Sequence, residues 1–210
     1  MASLKRLIKP CFKAGMDFCV AVATRRIGKE LASRDSERGR GDFRWFTPEE
    51  AAVAEALGRV IVPSDDETPG FDEVGVLDSP AIVALDKLVA SSANRQEVYS
   101  RGLLSFDLWA LRERKCKFCE LPKEDQTQFF RAALQLFDDW PRTRSLFKRL
   151  SYRFRTIRLT REGKFYSAQL CWQIRNDCIQ VFYTSRVSWT WLEYDGPPMD
   201  AGYPGLVERR

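Results

Sequence analysis

The sequence predicts an all-α fold: a multi-helix, orthogonal bundle-like domain with an N-terminal amphipathic arm and an extended C-terminal tail rich in aromatics, proline and glycine. Three observations predict it. Apolar residues from Thr47 to about Ile157 recur with period 3.6 rather than 2. The periodic runs are separated by short joints marked by proline or glycine. The 210 residues, 44% apolar and 30% charged, suffice for one substantial core. The expected divisions are a basic arm and linker over 1–44, a helical domain over 45–183 and the tail over 184–210.

The arm opens "MASLKRLIKPCFKAGMDFCVAVATRRIGKE", basic with a mildly apolar centre. Lys13 and Asp17 interrupt what a secretory signal would keep apolar, and Arg25-Arg26 follow the apolar part instead of preceding it. A retained amphipathic helix and a cytoplasmic location are therefore expected, with a periplasmic or membrane-associated location through a partner as the alternative. Lys5, Arg6, Lys9 and Lys13 precede Phe12, Met16, Phe18 and Val20, a pattern suited to an anionic surface, although Pro10 weakens a continuous helix. Residues 31–44, "LASRDSERGRGDFR", are polar and glycine-bearing and read as a linker.

The body begins at "FTPEEAAVAEALGRVIVP". Thr47 is placed as N-cap, Pro48 suits the first helical position, and Glu50 completes a capping box. Val53, Leu57, Val60 and Ile61 form its apolar stripe, and Pro63 ends it. A second helix is expected from the Ser79-Pro80 start, with Ile82, Leu85, Leu88 and Val89 on one side. A third carries Val98, Leu104, Leu108 and Leu111. A fourth restarts after Pro122 with Phe129, Phe130, Ala133, Leu134 and Phe137, and a fifth carries Leu146, Leu150, Phe154 and Ile157. Leu170, Ile174, Cys178 and Val181 are again at helical spacing. From residue 184 the aromatic, Gly/Pro-bearing composition predicts a chain running extended over a surface.

Chemistry is constrained by what is missing. The chain has no histidine, which removes Ser-His-Asp and Cys-His nucleophiles and His-ligated metals. Of six cysteines, Cys116 and Cys119 form a lone C-x-x-C; a tetrahedral metal site would have to recruit Cys171 and Cys178, which no spacing demands. The carboxylate runs Asp65-Asp66-Glu67, Asp72-Glu73 and Asp138-Asp139 are adjacent pairs that tend to point apart into solvent. None has the alternating spacing of a calcium loop. No catalytic, cofactor-binding or metal-ligating residue is therefore assigned.

Charge is segregated. Residues 1–44 hold 11 Lys/Arg against 5 Asp/Glu, and residues 142–164 hold 9 Lys/Arg against one Glu, leaving the remainder acidic. In the second stretch arginines alternate with Phe147, Tyr152 and Phe154. That pattern fits an interface with an acidic partner, a solvated helix face, or nucleic acid.

Three fragments in order resemble the gluconate 2-dehydrogenase subunit 3 family: "FTPEEAAVAEALGRVIVPSDDETPGFDEVGVLD", "FCELPKEDQTQFF" and "FYTSRVSWTWLEYDGPPMDAGYP". The resemblance implies a non-catalytic small subunit that binds and stabilises a large FAD-dependent sugar or polyol dehydrogenase of the glucose–methanol–choline (GMC) type, sometimes with a cytochrome or other electron-acceptor subunit. FAD would belong to the large subunit and no cofactor to this chain. Nucleic acid is not expected as a partner, and a membrane only indirectly; the alternative is a basic-helix module that binds nucleic acid or an anionic membrane. On this reading Trp189, Trp191, Tyr194 and Tyr203, with Arg149 and Arg153, are the candidate interface residues, since tryptophan, tyrosine and arginine dominate interface energetics. Residues 161–182 look like an extra or altered segment relative to the family.

Overall fold

Thr47 begins the helical body as the capping box requires: its hydroxyl accepts the Glu50 N–H, and the Glu50 carboxylate accepts the Thr47 N–H. The computed structural model describes residues 28–35, 37–38, 42–76, 79–138, 159 and 164–194. Helix α1 covers 28–35, and α2 is Pro48–Ile61. Strands β1, Gly75–Val76, and β2, Ser79–Pro80, form an antiparallel pair with Gly75 opposite Pro80 and Val76 opposite Ser79. Then come α3, Ala81–Ala90; α4, Ala93–Glu113; a 3-10 turn, Phe118–Glu120; and α5, Lys123–Asp138. Helices α6, Lys164–Tyr183, and α7, Arg186–Trp191, complete the described chain. The all-α expectation holds, with one two-residue ladder as the only sheet among the described residues.

The longest helices, α4 and α6, form the central pair; α5, α3 and α2 also pack on α6, and α2 contacts α3, α4 and α5. The core at their junction contains Phe46, Leu57, Phe71, Leu85, Tyr99, Leu103, Phe106, Phe118, Leu170 and Ile174, all fully buried. Aromatic rings tie the layers together: Phe106 lies 4.9 Å from Phe118 and Trp109 4.8 Å from Phe129, centroid to centroid. Gly102 permits the close approach of α4 and α6, because a Cβ there would lie 2.4 Å from Cβ of Leu170.

Three expectations need correction. The linker over 31–44 includes part of α1, and its Arg34 and Arg38 are docked on the domain. Arg38 forks onto Glu50 with two 2.9 Å hydrogen bonds, and Arg34 donates to Asp107 at 3.2 Å. An arginine-rich polar run reads as solvated until buried carboxylates are seen to meet it. Helix α3 starts directly after Ser79-Pro80, as expected; Pro80 stands at its N-cap, and Ser79 lies in β2 with its hydroxyl accepting from Lys87. The chain before α2 is pinned by Asp86 of α3, which accepts the N–H groups of Arg44, Trp45 and Phe46 at 2.6, 3.0 and 2.8 Å.

The stripe assigned to α4 is also displaced. Of the expected stripe only Leu104 is buried, beside Tyr99, Leu103, Phe106 and Ala110, whereas Val98 and Leu108 are half-buried and Leu111 exposed. Helix α4 touches α2, α3 and α6 at once, so its buried surface is too wide for one stripe to define. Finally, the tail is not extended from residue 184: Ser185 accepts the Val187 N–H and starts α7. The expected fifth helix, the arm before residue 28, Asp139, and the side chains of Phe137 and Asp138 lie outside the described residues.

Candidate partner-docking surface

The loop after α2 is built from its own backbone. Val62 N–H closes the helix on Gly58 O, and Phe71 N–H returns to Val62 O. Between them Asp65 Oδ1 accepts the N–H groups of Glu67 and Thr68 at 3.0 and 2.7 Å. These hydrogen bonds hold the Asp65 carboxyl below its ordinary range. Glu73 accepts from the Ser64 hydroxyl, and Gly70 sits where a Cβ would come within 2.5 Å of Ser64 Cβ. Asp65, Asp66 and Glu67 are all exposed, as a solvated exit loop requires.

Helix α7 folds back onto that loop. Ser185 Oγ accepts the Gly75 N–H at 3.2 Å, tying the start of α7 to β1. Ser188 Oγ donates to the carbonyls of Phe182 and Ser185. Trp191 Nε1 donates to Glu67 O at 2.6 Å, which holds its ring against the loop and 6.0 Å from the Phe182 ring. Trp189 Nε1 donates to Tyr183 O at 2.6 Å, and its ring meets Tyr194 edge-on at 6.3 Å. Trp191 and Tyr194 remain exposed, at 44% and 45%, while Trp189 is half-buried. Tyr203, Arg149 and Arg153 lie outside the described residues.

The structure adds residues to this surface that composition did not single out. Ile179 and Tyr183 of α6 are 41% and 58% exposed and line a groove with Ile61, Val62, Pro63 and Trp191. Asp65, Asp66, Glu67 and Glu73 line an adjoining groove with Val187 and Trp191. The signal was present in the periodicity: Trp172, Ile179 and Tyr183 fall at i, i+7 and i+11, opposite the buried Leu170, Ile174, Cys178 and Val181.

The buried ionisable groups serve the scaffold. Burial pushes the Glu50 carboxyl above its ordinary value despite Arg38, and does the same for Asp107 despite the Phe118 N–H and Arg34. Asp177 of α6 accepts from the Tyr99 hydroxyl at 2.9 Å and from Arg95 Nε at 3.2 Å, linking it to α4. Gln126 Nε2 bridges the carbonyls of Phe118, Cys119 and Leu121. Cys116 and Cys119 are half-buried free thiols, whereas Cys171 and Cys178 are buried in the core and their thiols are pushed far up by desolvation. Among the described residues no three His, Cys, Asp or Glu side chains are grouped to hold a metal, and no helix is long and apolar enough to cross a membrane.

Residues 48–196 match the family model described as "Gluconate 2-dehydrogenase subunit 3". Neither a curated protein nor a solved structure matches the chain. The matched span begins at α2, runs beyond α7 and includes residues 161–182. That segment supplies most of α6, the helix on which the core is assembled. The chain belongs to the gluconate 2-dehydrogenase subunit 3 family.

Proposed function

We propose that this chain is the non-catalytic small subunit of a dehydrogenase complex, binding and stabilising a large FAD-dependent subunit of the GMC type. The observation that carries the reading is the family match over residues 48–196, which spans both the capped α2 and the exposed aromatic corner of α6 and α7. Its name places the family's members in a gluconate 2-dehydrogenase complex. FAD resides in the large subunit on this reading, and a cytochrome or other electron acceptor completes the electron path. This chain contributes stabilisation by mass action: a partner that binds only the folded large subunit shifts its folding equilibrium, by about 2.7 kcal/mol at one hundred times Kd. The complex is placed in the cytoplasm unless the large subunit carries it elsewhere.

Co-expression tests the reading. A GMC-type flavoprotein large subunit from the same genome is produced with and without this chain, and its soluble yield, flavin content and turnover are measured. All three are expected to rise when the chain is present. A large subunit equally soluble, flavin-loaded and active alone overturns the accessory role.

A further inference from the structure

We infer that the outward face of α6, continued by Trp191 into the acidic loop, receives an apolar segment of the large subunit bearing lysine or arginine at one end. The inference rests on the accessory-subunit reading and adds to it a surface and a ligand chemistry. Trp172, Ile179 and Tyr183 are exposed on one side of a helix whose opposite side is core, with exposed Arg175 and half-buried Asn176 between Trp172 and Ile179. At 1.5 Å per residue they span about 16 Å, the length of three helical turns. One end of this stripe opens into the groove lined by Val62, Pro63 and Trp191. There the surface changes character, because Asp65, Asp66, Glu67 and Glu73 line the adjoining groove and, among the described residues, no lysine or arginine lines either one.

The apolar floor of Ile179, Tyr183 and Trp191, leading to four carboxylates, complements a segment that is apolar where it crosses that floor and cationic at its end. The same charges repel phosphate backbones and anionic lipid. The site is also held in shape before binding: Asp65 fixes the loop through its backbone hydrogen bonds, and Trp191 is held by the main-chain oxygen of Glu67. Exposed tryptophan and tyrosine in a fixed position cost little entropy to bury. Because the Trp191 contact is to a backbone oxygen, the Glu67 side chain can be replaced without releasing the ring.

The test measures binding of the full-length chain to the purified flavoprotein large subunit, with Ile179→Glu and the pair Asp66→Lys/Glu67→Lys as variants. Leu111→Glu, an exposed position on α4 outside both grooves, is the control. Each groove variant is expected to raise Kd at least tenfold with helicity and Tm unchanged, and the control to bind as wild type. Wild-type affinity is expected to fall as salt rises from about 50 to 300 mM, and the double lysine variant to lose that dependence. Groove variants that bind as tightly as wild type overturn this surface while leaving the accessory role standing. A wild-type chain that does not bind the large subunit at all overturns the accessory role, and this inference with it. A wild-type dimer in sedimentation that Ile179→Glu converts to monomer assigns the face to a second copy and overturns the proposal. So does an isolated chain in which Ile179→Glu newly exposes residues 195–210 to protease, because the chain's own tail would then be the occupant.

Discussion

Glu50 shows how one side chain can serve two elements. It closes the capping box of α2 and, fully buried, accepts both arms of Arg38. Glu50→Ala takes its buried partner from the Arg38 guanidinium, which keeps Asp35 and the Trp45 carbonyl, and strips the Thr47 N–H of its acceptor; it is expected to cost about 2 kcal/mol in urea denaturation. The capping half of this role was legible at a spacing of three residues. The ion-pair half was not, because Arg38 lies twelve residues away in a run whose composition reads as linker. The buried thiols make a second prediction. Desolvation raises the Cys171 and Cys178 thiols above their ordinary value of 9.0, and burial raises the Tyr99 phenol above 10.0. Groups whose folded pKa is raised contribute stability that is complete below the unfolded value and lost as pH rises through the folded one. Stability is therefore expected to hold to about pH 8 and fall progressively above pH 9, and Cys178→Ala to flatten the fall, read as the urea midpoint against pH.

At the scale of elements, the contact between α4 and α6 decides the packing. Gly102→Ala improves helix propensity by about 1 kcal/mol, but the new methyl meets Leu170 at 2.4 Å. Overpacking of that kind costs about 1–3 kcal/mol, so the variant is expected to be destabilised, and Gly102→Ala/Leu170→Gly, which removes the opposing Cβ, to be less than additive. Thermal denaturation of both variants checks this. Sequence periodicity located α4 but misplaced its stripe, since a helix covered on several sides buries residues all round and loses the contrast that periodicity reads. It placed the buried face of α6 correctly, because α6 keeps one face in solvent: Leu170, Ile174, Cys178 and Val181 are buried, and Trp172, Ile179 and Tyr183 are not. Helix α7 was missed because six residues carry too few turns for a period, and its Ser185 cap stands in a run read by composition alone.

For the whole molecule, Arg34 and Arg38 join the chain ahead of α2 to the helical body electrostatically. Arg34→Ala/Arg38→Ala strands Asp107 and Glu50 as buried carboxylates, and is expected to lower Tm by about 10 °C in a scanning-calorimetry comparison with wild type. The acidic loop has the opposite standing. Asp65→Asn/Asp66→Asn/Glu67→Gln removes charge from exposed side chains, so turnover per assembled complex is expected to stay unchanged even where assembly weakens. Turnover lost in a complex that assembles normally would make the loop a catalytic element and contradict the accessory reading.

Composition and spacing alone determined that the chain is helical, that histidine chemistry is absent, and where α2, α5 and the inner face of α6 begin or point. These are local properties, set by caps, prolines and period, and they survive without knowledge of the neighbours. Tertiary structure alone decided which charges are buried, which stripe of α4 is core, and that Ile179, Tyr183 and Trp191 meet the acidic loop on one surface. Trp191 and Glu67 stand 124 residues apart, and their 2.6 Å contact exists only because α6 carries the chain back past α2 before α7 turns it onto the loop. A contact of that kind is set by the packing of helices against one another, which no short run of sequence encodes.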